Sequence, residues 1–433
     1  MTQLKTNLDV ALTPLGFTTE EITITNHRGV EVDIQNLVVE IQFTESIYAT
    51  PIQCRVRVKD VMNALQDYEF CGQEMLHVKI NRQVFDESGD VETLDLKFII
   101  VEYPSYGRGN ESYTQAYELT AVTPFAYLGQ TKNICRATKT ATVTEIDKIV
   151  KALDKDQKVV VAGVPKSKLN CVIPNQSSLK ALKMLRDISF DEFGTPYVAH
   201  MRLDGAFYVT PFSIMHDSIK NPVYKQLNKD FLYTEKADVV EAYDEKAHRI
   251  FAISSNLKLG KLDQHIKGAF SSYQNAFDLS TKTRRGTDYS YSGSLIDTDW
   301  DAGWGTGMVN TEQNDVKFST VWNSMNQSGE IDDNYQKAFI ESRQHRISEN
   351  ALFDSYEHNL EVAGDFGLNA GKRILIKIPK AADINERDGD DEVYDDVLSG
   401  EYIIVGAIHT FGKEYRTTLQ VKRNNSTLQL NEQ

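Results

Sequence analysis

The densest set of potentially reactive side chains in this 433-residue sequence is acidic. Asp383, Glu386, Asp388, Asp390, Asp391, Glu392, Asp395 and Asp396 stand close together near the C-terminal end. Hard cations such as calcium take oxygen ligands, so cation binding is the chemistry this run offers. It lacks the Asp-x-Asp-x-Asp-Gly register of a helix–loop–helix calcium site, and a solvated hairpin loop is the simpler reading. A second group, Asp299, Trp300, Asp301 and Trp304, combines carboxylates with rings that stack on sugars. Glycoside hydrolysis needs two carboxylates about 5–9.5 Å apart, and nothing in this spacing sets that distance.

Other reactive types are scattered. His345 and His358 are not part of a His-Glu-x-x-His zinc pattern. His27, His77, His200 and His409 stand singly on expected strands or turns, where a surface or satisfied core histidine is the usual outcome. Gly107-Arg108-Gly109 has no further glycine of a dinucleotide fingerprint and reads as a turn between strands. No phosphate-cradling Gly-x-x-x-x-Gly-Lys-Ser/Thr is present. Cys54, Cys71, Cys135 and Cys171 show no metal-finger spacing and read as reduced, mostly buried thiols. No catalytic, cofactor-binding or metal-ligating residue is assigned, and no enzyme is expected.

The elements that would position these residues are mostly strands. Residues 52–58 alternate, with Ile52, Cys54, Val56 and Val58 on one face and Gln53, Arg55 and Arg57 on the other, the mark of a half-buried strand. Strands are also expected at 22–24, 38–43, 75–80, 94–103 and 113–122, with a short helix at 60–65. Five or more short strands in about 100 residues indicate a small antiparallel barrel or sandwich. The period then changes. Val143, Ile146, Ile149, Val150 and Leu153 predict a helix, with Thr144 able to cap it. Leu179, Leu182, Leu185 and Ile188 predict another. Strands at 196–203 and 206–211 flank Asp204-Gly205, a hairpin signal. Residues 271–330 are rich in Ser, Thr, Gly, Asp and Asn, and 333–354 reads as helical.

One pattern occurs twice. Gly72-Gln73-Glu74-Met75-Leu76-His77-Val78-Lys79-Ile80 parallels Gly371-Lys372-Arg373-Ile374-Leu375-Ile376-Lys377-Ile378. Phe98-Ile99-Ile100-Val101-Glu102-Tyr103 then parallels Tyr402-Ile403-Ile404-Val405-Gly406-Ala407. Each copy passes an acidic loop before its aromatic-Ile-Ile-Val strand and a turn after it, reaching a final strand at 113–122 or 414–421. The fold expected is α+β, mainly β. It has an arm at 1–20, a first barrel at 21–125, a small α/β domain at 126–235, a second barrel at 236–270 and 358–428, and an insertion at 271–357.

This order, with Phe190-Asp191-Glu192-Phe193-Gly194 between the copies and Gly364-Asp365-Phe366-Gly367 leading into the second, resembles the baseplate hub proteins of contractile-tailed phages and related injection machines. The resemblance implies a homotrimer whose six barrels convert a threefold spike into a sixfold tube. It implies a central spike protein, tube or tube-initiator proteins, tape-measure protein and baseplate wedge proteins as partners, and DNA that only passes through the channel. Edge strands of neighbouring barrels would pair, so that ring closure removes exposed edges. The location implied is the virion tail baseplate, assembled in the host cytoplasm. Two other readings are a type VI-like hub, which usually carries a long C-terminal β-prism not found here, and a glycan-binding or hydrolytic tail accessory.

Bulk properties agree. Hydrophobic residues make up 41% and charged residues 25%, an ordinary globular balance. A net charge of −15 with no large Lys/Arg cluster argues against wrapping nucleic acid, and suits a surface past which DNA slides. The N-terminus has no basic-then-apolar signal pattern, and no apolar run approaches the roughly 20 residues of a membrane span.

Overall fold

The computed structural model describes residues 15–83, 91–108, 115–166, 171–192, 194–217, 223–225, 247–257, 262, 266–279, 282–290, 316–322, 343–348, 350, 353, 356–378, 395 and 398–423. Strands dominate, as the alternating sequence requires.

The first unit comprises β1 (Thr18–Thr25), β2 (Glu31–Asp33), β3 (Val38–Ser46), β4 (Ala49–Asp60), β5 (Met75–Gln83), β6 (Val91–Arg108) and β7 (Gln115–Val122), with one helical turn, α1 (Ala64–Asp67). They pair in the order β3-β4-β7-β6-β5-β1-β2, every pair antiparallel. Period-two alternation puts Ile41 and Phe43 of β3, Cys54 and Val56 of β4, and Leu119 and Ala121 of β7 into one core. Residues 15–20, expected in a free arm, begin the core instead: Leu15 and Phe17 are buried, and the Leu15 carbonyl accepts the Tyr415 N–H at 2.8 Å. Gly107 and Arg108 end β6, paired with Ala116 and Gln115, rather than forming the expected turn; Gly109 lies outside the described residues.

Next come α2 (Pro124–Thr131), β8 (Asn133–Thr138), α3 (Thr142–Leu153), β9 (Val159–Val161), β10 (Cys171–Ser177), α4 (Ser178–Asp187), β11 (Tyr197–Met201), β12 (Phe207–Pro211) and α5 (Phe212–Asp217). Ala141, not Thr144, occupies the N-cap of α3; Thr144 lies inside its first turn. The Asp204-Gly205 hairpin forms as expected, Gly205 at φ 76° in the left-handed region that Gly adopts without strain. Cys54 is buried, but Cys71 and Cys135 are exposed and unpaired, against the expectation of mostly buried thiols. Cys135 sits on β8 in the outward phase of its alternation, with Asn133 and Ala137.

The second unit comprises β13 (Val223–Lys225), β14 (Ile250–Leu257), β18 (Tyr356–Ala363), β19 (Arg373–Lys377), β20 (Gly400–Phe411) and β21 (Tyr415–Arg423). Between β14 and β18, a separate sheet is formed by β15 (Ser271–Asp278), β16 (Thr283–Ser290) and β17 (Lys317–Trp322). Residues 343–348 are helical, and most of the remaining helix expected over 333–354 lies outside the described residues.

The two units repeat strand for strand. β14-β18-β21-β20-β19 matches β3-β4-β7-β6-β5 in order and orientation. Ile99 pairs with Met75 and Val122, and Ile403 pairs with Arg373 and Lys422. A register irregularity follows at the same place in each, Ile100/Glu102 and Ile404/Gly406. The Gln73 N–H bonds the Ile100 carbonyl as the Gly371 N–H bonds that of Ile404. The units differ at one margin, where β1 is antiparallel to β5 but β13 is parallel to β19. Neither unit closes into a barrel through hydrogen bonds among the described residues. Instead β20 pairs with β3, and the two units run on as one sheet.

Candidate assembly interface

The junction of the units is the most elaborated part of the molecule. β20 divides its length: residues 400–403 pair with β19, and 406–411 pair with β3 in a register running from Gly406 opposite Ser46 to Phe411 opposite Ile41. Beneath this seam lies an aromatic cluster. Phe411 stacks on Tyr415 with centroids 4.1 Å apart and meets Phe17 and Phe43 edge-on at 5.3 and 5.8 Å. Phe366, in the loop before β19, adds a fifth ring against Tyr415 at 5.5 Å. Such pairs contribute about 0.5–1.5 kcal/mol each beyond their burial.

A buried carboxylate ties three elements at the same place. Glu45 occupies the inward phase of β3 and is 1% exposed. One carboxylate oxygen accepts the Ala370 N–H at 2.5 Å, the other the Leu203 N–H at 2.8 Å. The Ala370 carbonyl in turn accepts from Arg202 Nε at 2.8 Å and from His200 Nε2 at 3.1 Å. β3, the β11–β12 hairpin and the loop entering β19 thus share one hydrogen-bond network. Burial pushes the Glu45 carboxyl up to about 7, partly offset by the two backbone donors.

His200, His358 and His409 are core groups. His358 Nε2 lies 2.7 Å from the Tyr402 hydroxyl, which itself donates to the Leu398 carbonyl at 2.9 Å; His358 therefore carries its proton on Nε2, and Nδ1 accepts from Ser255 at 2.8 Å. His409 Nδ1 lies 2.8 Å from the Tyr415 hydroxyl. Burial lowers His200 to about 3, and His358 and His409 to about 4. His77 and His27 lie outside this core: His77 is held between Glu21 and Asp95 at 3.2 and 2.8 Å near the surface, and His27 is exposed. Among the described residues no group of three or more His, Cys, Asp or Glu could hold a metal ion.

These values predict acid lability. As pH falls through the ordinary histidine value near 6.5, the unfolded chain binds three protons that folded His200, His358 and His409 refuse until about pH 3–4. Their stabilisation is complete above about pH 6.5 and is lost between there and about pH 4. Glu45 acts oppositely. Its folded value lies above its ordinary 4.5, so folding gains stability as pH falls from about 7 to 4.5. At about 1.4 kcal/mol per unit, three histidines outweigh one carboxyl. Melting temperature should drop steadily from about pH 6.5 to pH 4.5; a level or rising profile in thermal melts would contradict this.

On the outward phase of the continuous sheet, opposite charges alternate across strands: Arg57 with Glu40 at 3.4 Å, Lys79 with Glu20 at 2.6 Å, Arg373 with Glu401 at 2.7 Å and Arg416 with Glu361 at 2.5 Å. Exposed pairs add little stability, about 0–1 kcal/mol each. In each of these pairs a cation is neutralised by a carboxylate on the neighbouring strand.

The remaining sequence candidates are not brought together. The segment from Asp299 to Trp304 lies outside the described residues, as do Asp383, Glu386, Asp388, Asp390, Asp391, Glu392 and Asp396; of that run only Asp395 is described. There the Asp395 N–H bonds the Ile378 carbonyl and its carboxylate accepts the Leu398 N–H at 2.9 Å, a local turn role. His345 packs edge-on against Tyr289 with centroids 5.0 Å apart, away from His358 in the β18 core. Glu45 was missed by motif reading, although its phase on β3 with Ile41, Phe43 and Ile47 marked it as a carboxylate facing inward.

The doubled antiparallel sheet, spliced edge to edge within one chain, is a mainly-β fold that the chain shares with a solved tail protein. In particular, the chain is similar to the tail protein from Neisseria meningitidis MC58, with a TM-score of 0.52 at 10% identity over 95% of this chain and 98% of that one. The 43 kDa tail protein of prophage MuSo2 from Shewanella oneidensis follows at TM-score 0.49 and 12% identity, covering 94% and 99%. The prophage tail protein gp18 from Listeria monocytogenes EGD-e gives 0.47 at 10%, covering 94% and 95%. We rest the shared fold on the Neisseria structure. No family model and no curated protein sequence matches the chain.

Proposed function

We propose that the chain is a structural, non-enzymatic baseplate hub subunit of a contractile tail. Three copies form a ring of six similar units that joins a central spike to the tail tube, leaving a channel for tape-measure protein and DNA. The units are the strands β1–β7 between residues 18 and 122, and β13, β14 and β18–β21 between residues 223–257 and 356–423; the α/β elements between residues 124 and 217 and the sheet of β15–β17 are additions to them. The observation that carries this reading is the strand-for-strand repeat, because a chain holding two equivalent units lets a threefold assembly present sixfold contacts. The ion pairs across the outward phase support it: cations already held by neighbouring carboxylates are less free to capture DNA phosphates.

The test is the mass and symmetry of the purified full-length chain at micromolar concentration, by mass photometry and electron microscopy. Three times 49.0 kDa and a pore-bearing ring of six similar lobes are expected. A monomer at every concentration, alone and with tail extract, or a ring without sixfold lobes, would overturn the proposal. So would release of soluble fragments from peptidoglycan or another glycan by the pure chain.

A further inference from the structure

The β20–β3 seam joins the second unit to the first, and the repeat specifies what the other two edges must meet. In the pattern of pairings, β6 is the counterpart of β20 and β14 the counterpart of β3. Each long strand spends its first part on the preceding strand, β6 on β5 and β20 on β19. Each then turns its later part to another partner. For β20 that partner is β3. For β6, residues 102–108 pair with β7 on one side, and on the other no strand among the described residues. Among the described residues β14 pairs with β18 on one side only and ends the sheet.

Both free edges are exposed. Glu102, Pro104, Ser105 and Gly107 of β6 face solvent, as do Ser254, Ser255, Asn256 and Leu257 of β14. Each edge also shows an apolar side chain to water, Val101 at 43% and Leu257 at 40%. Unpaired edges of this length are templates for a further strand. Pro104, which has no N–H to give, falls within the register irregularity between Glu102 and Ser105, where no pairing is broken.

We infer that the β6 edge of one copy pairs antiparallel with the β14 edge of a second copy of this chain, in the register of the internal seam. This rests on the ring reading and names its contact. The register follows through shared partners. Ile408 and Ser105 lie opposite equivalent residues, Thr418 of β21 and Glu118 of β7. Thr44 and Asn256 lie opposite equivalent residues, Gln53 of β4 and Glu357 of β18. Since Ile408 faces Thr44, Ser105 faces Asn256 of the next copy, Tyr106 faces Ser255, Gly107 faces Ser254 and Arg108 faces Ile253. The contact is head-to-tail, with different surfaces on the two sides, and such contacts generate rings when the rotation closes. Internal and intersubunit seams then alternate around the ring.

The test is disulfide trapping in a chain with Cys71 and Cys135 replaced by Ser. Ser105→Cys with Asn256→Cys should give covalent dimers and trimers on a non-reducing gel. Thr44→Cys with Ile408→Cys, the same geometry within one chain, should oxidise without joining chains. Ser105→Cys with Ser254→Cys, two residues out of register, should link at least fivefold less. An intact three-copy ring without the Ser105–Asn256 link, or with equal linking out of register, overturns this contact while the hub reading stands. A chain that never forms a ring overturns both.

Discussion

Phe411→Ala is expected to remove about 3–5 kcal/mol of stability, as for other large aromatic-to-alanine changes in packed cores. Phe411 has no exposed surface and touches rings from both units: Phe17 and Phe43 from the first, Tyr415 and Phe366 from the second. Truncation loses the transfer energy of the ring and leaves a void that four partners, anchored on four different segments, cannot all fill. Because the lost contacts straddle the seam, the second expected sign is a loss of cooperativity, with one urea transition separating into two. A loss below about 1 kcal/mol with a single sharp transition would show that the seam is held by backbone pairing and that the aromatic cluster is incidental.

Glu45→Ala is expected to cost about 2–4 kcal/mol. The Ala370 and Leu203 N–H groups would each lose a charge-assisted acceptor in a site without room for solvent, at about 1–3 kcal/mol per unsatisfied group. Part of that is returned, because Glu45 is itself costly to bury, as its raised value near 7 records. Glu45→Gln keeps the shape and one acceptor oxygen but turns an amide NH2 toward a second N–H, so it should fall between wild type and Ala. Denaturant midpoints at about pH 7.5 read the series. If Gln were as stable as Glu and Ala within about 0.5 kcal/mol of both, the carboxylate would not be what fastens the hairpin and the β19 loop to β3.

Much of the doubled unit was legible because each unit's last strands are consecutive in the chain. β5–β6–β7 and β19–β20–β21 are meanders, so their order, their acidic connections and their shared Phe/Tyr-Ile-Ile-Val strand survive as a linear pattern. The alignment slipped by one residue at its start. Gly371 lies at φ 81° opposite Gln73 at φ 76°, not Gly72, although Gly72 is also left-handed at φ 92°. Two neighbouring residues share that conformation in the first unit, and glycine identity alone could not say which one carries the equivalent hydrogen bond. The β3–β20 seam left no linear trace. Its partners, such as Phe43 and His409, are separated by most of the chain, and neither strand's alternation encodes which edge it will meet. The unclosed sheet escaped for the same reason: periodicity reports which face is buried, while closure depends on pairing between distant edges. The core histidines were foreseen as a type, but their hydroxyl partners Tyr402 and Tyr415 come from other positions along the fold and were not.

The six consecutive residue pairs from Gly406–Ser46 to Phe411–Ile41 have a mechanical consequence. They are made by a chain with itself, at a local concentration no separate molecule can match, so dilution cannot undo them. In the ring proposed above, this would halve the number of joints that must be found by collision. It would also decide where such a ring gives way: under force or low concentration the breaks would fall between polypeptides, and each fragment would leave as a prealigned pair.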